Sequence, residues 1–175
     1  ALWIDKYGCT IATCETEDFI NFKQITFPSE PSNRNAVLFP EKINGLYARL
    51  DRPQNNNEHG DIWVSYSPDL EFWSRSMPLN YHVNAWGGIK TGAGTVPIKT
   101  EQGWLIVYHG VAHTCSSNNY YLSAMLLDEQ DPSKVISAPK EFLLAAEKDY
   151  ECMGQTPNGV FTGGAVLMPN GIYNI

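Results

Sequence analysis

The sequence predicts a mainly β fold, and three observations predict it. Apolar segments are short and rich in β-branched and aromatic residues, the stretches between them are built of Asn, Gly, Pro and Asp, and no long stretch spaces apolar residues at helical intervals. In chain order, "CTIATC" (9–14), "AVLFPEKI" (36–43), "GLYARL" (45–50), "DIWVSYS" (61–67), "GWLIVYHG" (103–110), "YYLSAMLL" (120–127) and "AVLM" (165–168) read as strands. Turn chemistry separates them: "KINGLY" joins the second to the third, "RPQNNNEHGD" the third to the fourth, "KTEQGW" leads into the fifth and "MPNGIY" follows the last.

Two weak internal repeats narrow this to a propeller. One aligns "AVLFPEKINGLYARL", "AGTVPIKTEQGWLIVYHG" and "GGAVLMPNGIYNI", in which an apolar step, a proline and a Gly-containing turn precede an aromatic strand. Its prolines, Pro40, Pro97 and Pro169, lie about 57 and about 72 residues apart, within or somewhat beyond blade-type periods. The other aligns "ATCETEDFINFKQ", "VSYSPDLEFWSRS" and "AMLLDEQDPSKVIS", where a strand leads to an acidic turn and then a hydrophobic residue. A recurring strand–turn–strand unit suggests blades packed face to face around an axis, with ligands at one end of the channel. The chain opens in a strand-like run, "ALWI", and stops in another, "GIYNI", so about three blades of a larger propeller, truncated at both ends, are expected over residues 1–175.

Composition excludes several functions. Apolar runs such as "WLIVY" and "AVLF" fall far short of a membrane helix, and a net charge of −7 with scattered Lys and Arg disfavours nucleic acid. Cys9, Cys14, Cys115 and Cys152 show neither CxxC spacing nor a dense disulfide pattern. Buried free thiols and a reducing, cytoplasmic setting are the expectation.

Metal and nucleotide motifs fail in turn. His109 and His113 have helical zinc spacing, but they follow a strand with Gly110 between them and no HExxH glutamate, so no metal is expected. "WGGIKTGAG" (86–94) matches neither phosphate-loop pattern, and no G-x-S-x-G elbow exists. What remains is a basic and polar group among aromatics: Arg34, Arg52, Lys90, Tyr108 and His109, together able to hold an oxyanion. Each also has a plain structural reading, as surface ion pairs, a solvated lysine and a strand end. Trp63, Trp73 and Trp104 read as core; Trp86, among glycines and polar residues, is open between core and site.

"NRNAVLFPEKINGLYARLDRP", "IWVSYSPDLEFW", "KTGAGTVPIKTEQGWLIVYHGV", "LLDEQDPSKVIS" and "PNGVFTGGAV" resemble, in this order, the glycoside hydrolase family 130 β-mannoside phosphorylases. The resemblance runs over nearly the whole chain. It implies a five-bladed β-propeller and inverting phosphorolysis of β-mannosides, with α-mannose 1-phosphate and an acceptor sugar as products. It implies mannosyl oligosaccharide and phosphate as partners, phosphate serving as co-substrate with no cofactor, and homo-oligomers, which are common in the family. By resemblance Arg34, Lys90, Tyr108 and His109 form a phosphate cradle; Asn33, Arg52 and Trp86 are the sugar-binding candidates. An inverting glycosidase needs a general acid and a general base, whereas phosphate is already a nucleophile, so a cationic cradle replaces the base. The family's general-acid aspartate lies in a Glu-Asp-Pro-Arg type segment upstream of the matched region, and no such segment occurs here, so this chain alone is expected to lack its acid. Two alternatives stay open at this point: a β-mannoside hydrolase of the same family, in which the basic residues give way to others, and a non-catalytic sugar-binding propeller.

Overall fold

A computed structural model describes residues 2–5, 8–26, 29–30, 32–81, 85–115 and 117–175. The chain folds as successive antiparallel sheets. β1 (Leu2–Asp5) pairs with β2 (Gly8–Ile11), and β3 (Cys14–Glu15) with β4 (Lys23–Gln24). A four-stranded meander follows: β5 (Asn33–Leu38), β6 (Tyr47–Pro53), β7 (Trp63–Ser67) and β8 (Ser74–Pro78), hydrogen-bonded in that order. The next sheet holds β9 (Lys90–Ala93), β10 (Ile98–Thr100), β11 (Gly103–His113), β12 (Asn118–Leu127), β13 (Val135–Ser137) and β14 (Leu144–Ala145). Because β9 and β10 line one edge of β11, and β13 and β14 both pair with β12, this sheet is also a four-position meander with its first and last positions interrupted. β15 (Val166–Leu167) and β16 (Tyr173–Asn174) form a further hairpin. Helix among the described residues is limited to a 3-10 turn, Ala85–Gly87, and α1 (Asp149–Cys152). These sheets are propeller blades. Among the described residues two have all four positions and shorter pieces flank them.

The repeats have physical counterparts. Asn44 (φ 50°) and Gly45 (φ 80°) are both left-handed, which makes a type I′ turn, and Ile43 and Leu46 exchange hydrogen bonds of 2.8 and 3.0 Å across it. β10–β11 and β15–β16 are the equivalent hairpins. In the second repeat, one carboxylate oxygen of Asp18 accepts from the N–H groups of Ile20 and Asn21, that of Asp69 from Glu71 and Phe72, and that of Asp128 from Gln130 and Asp131. All three aspartates close the turn with the same local bond pattern.

The core lies between the two complete blades. Ala48 and Leu50 of β6 and Ile62 and Val64 of the β7 segment meet Trp104, Ile106 and Tyr108 of β11 and Met125 and Leu127 of β12. Phe39 meets Trp104 edge-on at 5.2 Å between ring centroids. Backbone bridges Gly60–Lys90 and Asn80–Lys134 tie the sheets together at their margins.

Several sequence expectations need correction. "GWLIVYHG" does not end at Gly110: β11 continues to His113 because β9 supplies hydrogen bonds to residues 108–111 and β12 pairs along the whole length. "AVLFPEKI" stops being strand at Leu38. Trp104 is core, but Trp73 lies under the Arg49 guanidinium, 4.1 Å from its ring centroid, and lines a cleft. All four cysteines are free thiols, yet only Cys9 is buried and Cys115 is exposed.

Candidate functional site

β5 and β6 set two arginines face to face. Arg34 and Arg52 are register partners, so their side chains leave the sheet on one side. A register shift follows Arg34, with Asn35 left-handed at φ 54°. Asn33 does not join this face; its Oδ1 accepts the backbone N–H of Arg52 at 3.1 Å and so braces the strand that carries the arginine.

The neighbouring blade supplies the other members. His109 on β11 is the register partner of Gly92, and Lys90 that of Val111, which puts the His109 and Lys90 side chains on the same face of that sheet. Arg52 reaches this face: its Nη1 lies 3.1 Å from His109 Nε2. Gly92 is what lets it pass. A Cβ at residue 92 would stand 2.6 Å from His109 Cε1 and 2.8 Å from Arg52 Nη1, so the contact requires glycine. Lys90 is buried, and its ammonium is 3.3 Å from Glu58 Oε2.

Electrostatics follow from this crowding. Burial first, then the Arg34 charge, pulls the Arg52 pKa down to about 10, which still leaves it cationic at neutral pH. Burial, then Arg52, then Lys90 lower that of His109 to about 3, so its imidazole is neutral. With Arg52 donating to Nε2, the single ring proton sits on Nδ1. That buried Nδ1, together with Arg34 Nε and Arg52 Nε, has no hydrogen-bond partner among the described residues. Unpaired buried donors, two on guanidiniums and one on a neutral imidazole, brought together from two blades, suit an oxyanion. Phe161 stacks against His109 at 4.6 Å between centroids and Tyr120 lies at 6.1 Å, which gives the group an aromatic flank. Neither ring stands out by residue type, although Phe161 lies in the family-like segment "PNGVFTGGAV".

Two expected members stand elsewhere. Side chains alternate along a strand, so Tyr108 leaves β11 on the side opposite His109. It is buried in the core beside Tyr81 and Trp86, and its pKa is raised by burial, against a hydrogen bond with Ser123. Trp86 follows Tyr108: its ring lies so close to Gly110 that a Cβ there would meet it at 2.5 Å, and its indole N–H donates to the Lys140 carbonyl. Both are across the sheet from the basic group. No group of three or more His, Cys, Asp or Glu side chains able to hold a metal exists among the described residues, and no helix there is long and apolar enough to cross a membrane.

A β-1,4-mannooligosaccharide phosphorylase of Ruminococcus albus is 41% identical over 163 residues, covering 91% of this chain and 49% of the relative. A β-1,2-mannobiose phosphorylase of Listeria innocua is 38% identical over 165 residues, covering 93% and 46%. The solved structure of a β-1,2-mannobiose phosphorylase from Listeria innocua, in complex with β-1,2-mannobiose, superposes with a TM-score of 0.83 at 37% identity, covering 94% of this chain and 46% of that one. The chain spans about half the length of the curated relatives it matches. The sequence model described as beta-1,4-mannooligosaccharide phosphorylase matches residues 6–175, and the chain belongs to that family, glycoside hydrolase family 130.

Proposed function

We propose that this chain carries the phosphate-binding side of a β-mannoside phosphorylase active site. The observation that carries the reading is the convergence of Arg34, Arg52, Lys90 and neutral His109 from two blades, with buried donors lacking partners among the described residues. Inorganic phosphate held there would be aimed by two guanidiniums and an ammonium and would accept a hydrogen bond from His109 Nδ1. Its nucleophilic oxygen attacks the anomeric carbon of a β-mannoside from the face opposite the leaving sugar, giving α-mannose 1-phosphate. Permanent cations neutralise the nucleophile's charge on entry, so the reaction needs one carboxylic acid to protonate the leaving oxygen and no general base. In this arrangement Arg52 belongs to the phosphate group, Asn33 positions it through the backbone, and Tyr108 and Trp86 support the strand from behind. The chain then represents about half of a five-bladed propeller acting in the cytoplasm on mannosyl oligosaccharides.

The test uses the complete gene product with β-1,4-mannosyl-glucose, β-1,4-mannosyl-N-acetylglucosamine and β-1,2-mannobiose, each with and without phosphate. Phosphate-dependent appearance of α-mannose 1-phosphate is the expected result. Free mannose released equally in both conditions would sink it in favour of hydrolysis.

A further inference from the structure

We infer that Glu58 is a built-in competitor for the cradle: a carboxylate that occupies Lys90 in the unliganded protein and that incoming phosphate displaces. This rests on the phosphate reading above and adds to it a residue that sets how tightly the anion is held.

The loop between β6 and β7 delivers Glu58 to this place by backbone geometry. Asn55 Oδ1 accepts the N–H groups of Asn57 and His59, Glu58 N–H donates to the Asn55 carbonyl, and Gln54 Nε2 donates to the Glu58 carbonyl at 2.8 Å. Two residues on, Gly60 forms a parallel bridge with Lys90, its N–H bonded to the Ile89 carbonyl and its carbonyl to the Thr91 N–H. A side chain at residue 60 would strike the Pro53 carbonyl at 2.3 Å, so the loop closes this tightly only with glycine. Glu58 is itself left-handed, at φ 63°, a conformation that costs a residue other than glycine, asparagine or aspartate.

The two ends of the ion pair are unequal. The Lys90 side chain is 8% exposed, that of Glu58 68%. Glu58 can rotate into water at small cost, as a surface partner does. Lys90, left alone, would be an uncompensated buried cation. Departure of the carboxylate is therefore favourable when another anion arrives, and its return is favourable when that anion leaves. The carboxylate pKa is held below its ordinary value chiefly by Lys90, with smaller contributions from Arg34 and Arg52, so it feels all three cations of the cradle. The exchange weakens phosphate binding and assists release of a phosphorylated product from the same cations.

Calorimetric titration of inorganic phosphate into the complete gene product, wild type against Glu58→Gln and Glu58→Gly, tests the exchange. The glycine variant suits φ 63° and keeps the loop if the glutamine variant folds poorly. Both variants should bind phosphate about three- to tenfold more tightly. The gain should be larger for the dianion than the monoanion, so affinity rises more steeply with pH through phosphate's second ionisation. A merely structural glutamate would not produce that slope. Phosphate bound by the wild type but unchanged or weakened in the variants overturns the exchange and leaves the cradle standing. No phosphate bound by any of the three overturns both.

Discussion

Arg34 and Arg52 stand opposite each other across the β5–β6 ladder, two like charges in direct register on one face of a blade. Such a pair opposes folding by about 0.2–1 kcal/mol unless an anion lies between the strands. Arg34→Gln should therefore raise the melting temperature in phosphate-free buffer and abolish the rise that phosphate gives to the wild type. If the proposed site binds phosphate, phosphate at about 100 times its dissociation constant should stabilise the wild type by about 2.7 kcal/mol. Scanning calorimetry with and without phosphate measures both effects; destabilisation of the variant in phosphate-free buffer would count against a strained cationic pair.

Gly92 is the gap through which one blade touches the next. Gly92→Ala puts a methyl group within 2.8 Å of both Arg52 Nη1 and His109 Cε1. Overpacking of this kind costs about 1–3 kcal/mol, and here it falls on the site. Phosphate affinity should drop at least about tenfold while far-ultraviolet circular dichroism stays that of the wild type.

His109 sets an acid limit. Its pKa of about 3 in the folded protein lies below the value near 6.5 of an unfolded chain. The unfolded state thus takes up the proton first. The stability His109 contributes is complete above about pH 6.5 and is lost as pH falls toward 3, at up to about 1.4 kcal/mol per pH unit. Urea midpoints measured between about pH 7 and about pH 4 should fall less steeply for His109→Gln than for the wild type. Phosphate bound there would neutralise Arg52 and Lys90, two of the causes of the shift, raise the folded pKa of His109 toward the unfolded value and make the wild-type midpoints fall less steeply with acid.

Tyr108 and His109 are adjacent in sequence and opposite in role. Tyr108→Phe should leave phosphate affinity within about twofold and cost about 1 kcal/mol of stability through the lost Ser123 hydrogen bond. His109→Gln should weaken phosphate binding at least about fivefold. Isothermal titration and urea denaturation on the two variants separate these effects; equal losses of affinity would place Tyr108 in the site.

The long strands were legible because their apolar content and turns are local signals: β11 and β12 read directly as "WLIVY" and "YYLSAMLL", and Asn44-Gly45 marks its hairpin. β9 was not, because "KTGA" has the composition of a loop and is strand only through its pairing with residues 108–111 and the close approach at Gly92. β8, fully exposed at a sheet edge and ending in proline, carries no apolar alternation to find. Within the site, residue types and the family resemblance singled out Arg34, Lys90 and His109. Strand parity, implicit in reading 103–110 as one strand, separates Tyr108 from His109, but which face meets the neighbouring blade is set by partners distant in sequence. Glu58 was hidden for the same reason: only the Gly60–Lys90 bridge brings it to the cations.

The contact from Arg52 to His109 crosses a seam between two repeats that apolar packing, backbone bridges, the Glu58–Lys90 and Glu41–Lys99 ion pairs and an Asn44 hydrogen bond to the Gln130 carbonyl also hold. Where each blade contacts its neighbours around the axis, cohesion resides in nearest-neighbour interfaces. An anion held by β5, β6, β9 and β11 at once would act as a rivet through that seam. Mechanical unzipping of the stack should then meet its ligand-dependent resistance at the boundary between these two blades, and amide exchange along β9 should slow with phosphate more than exchange along β8.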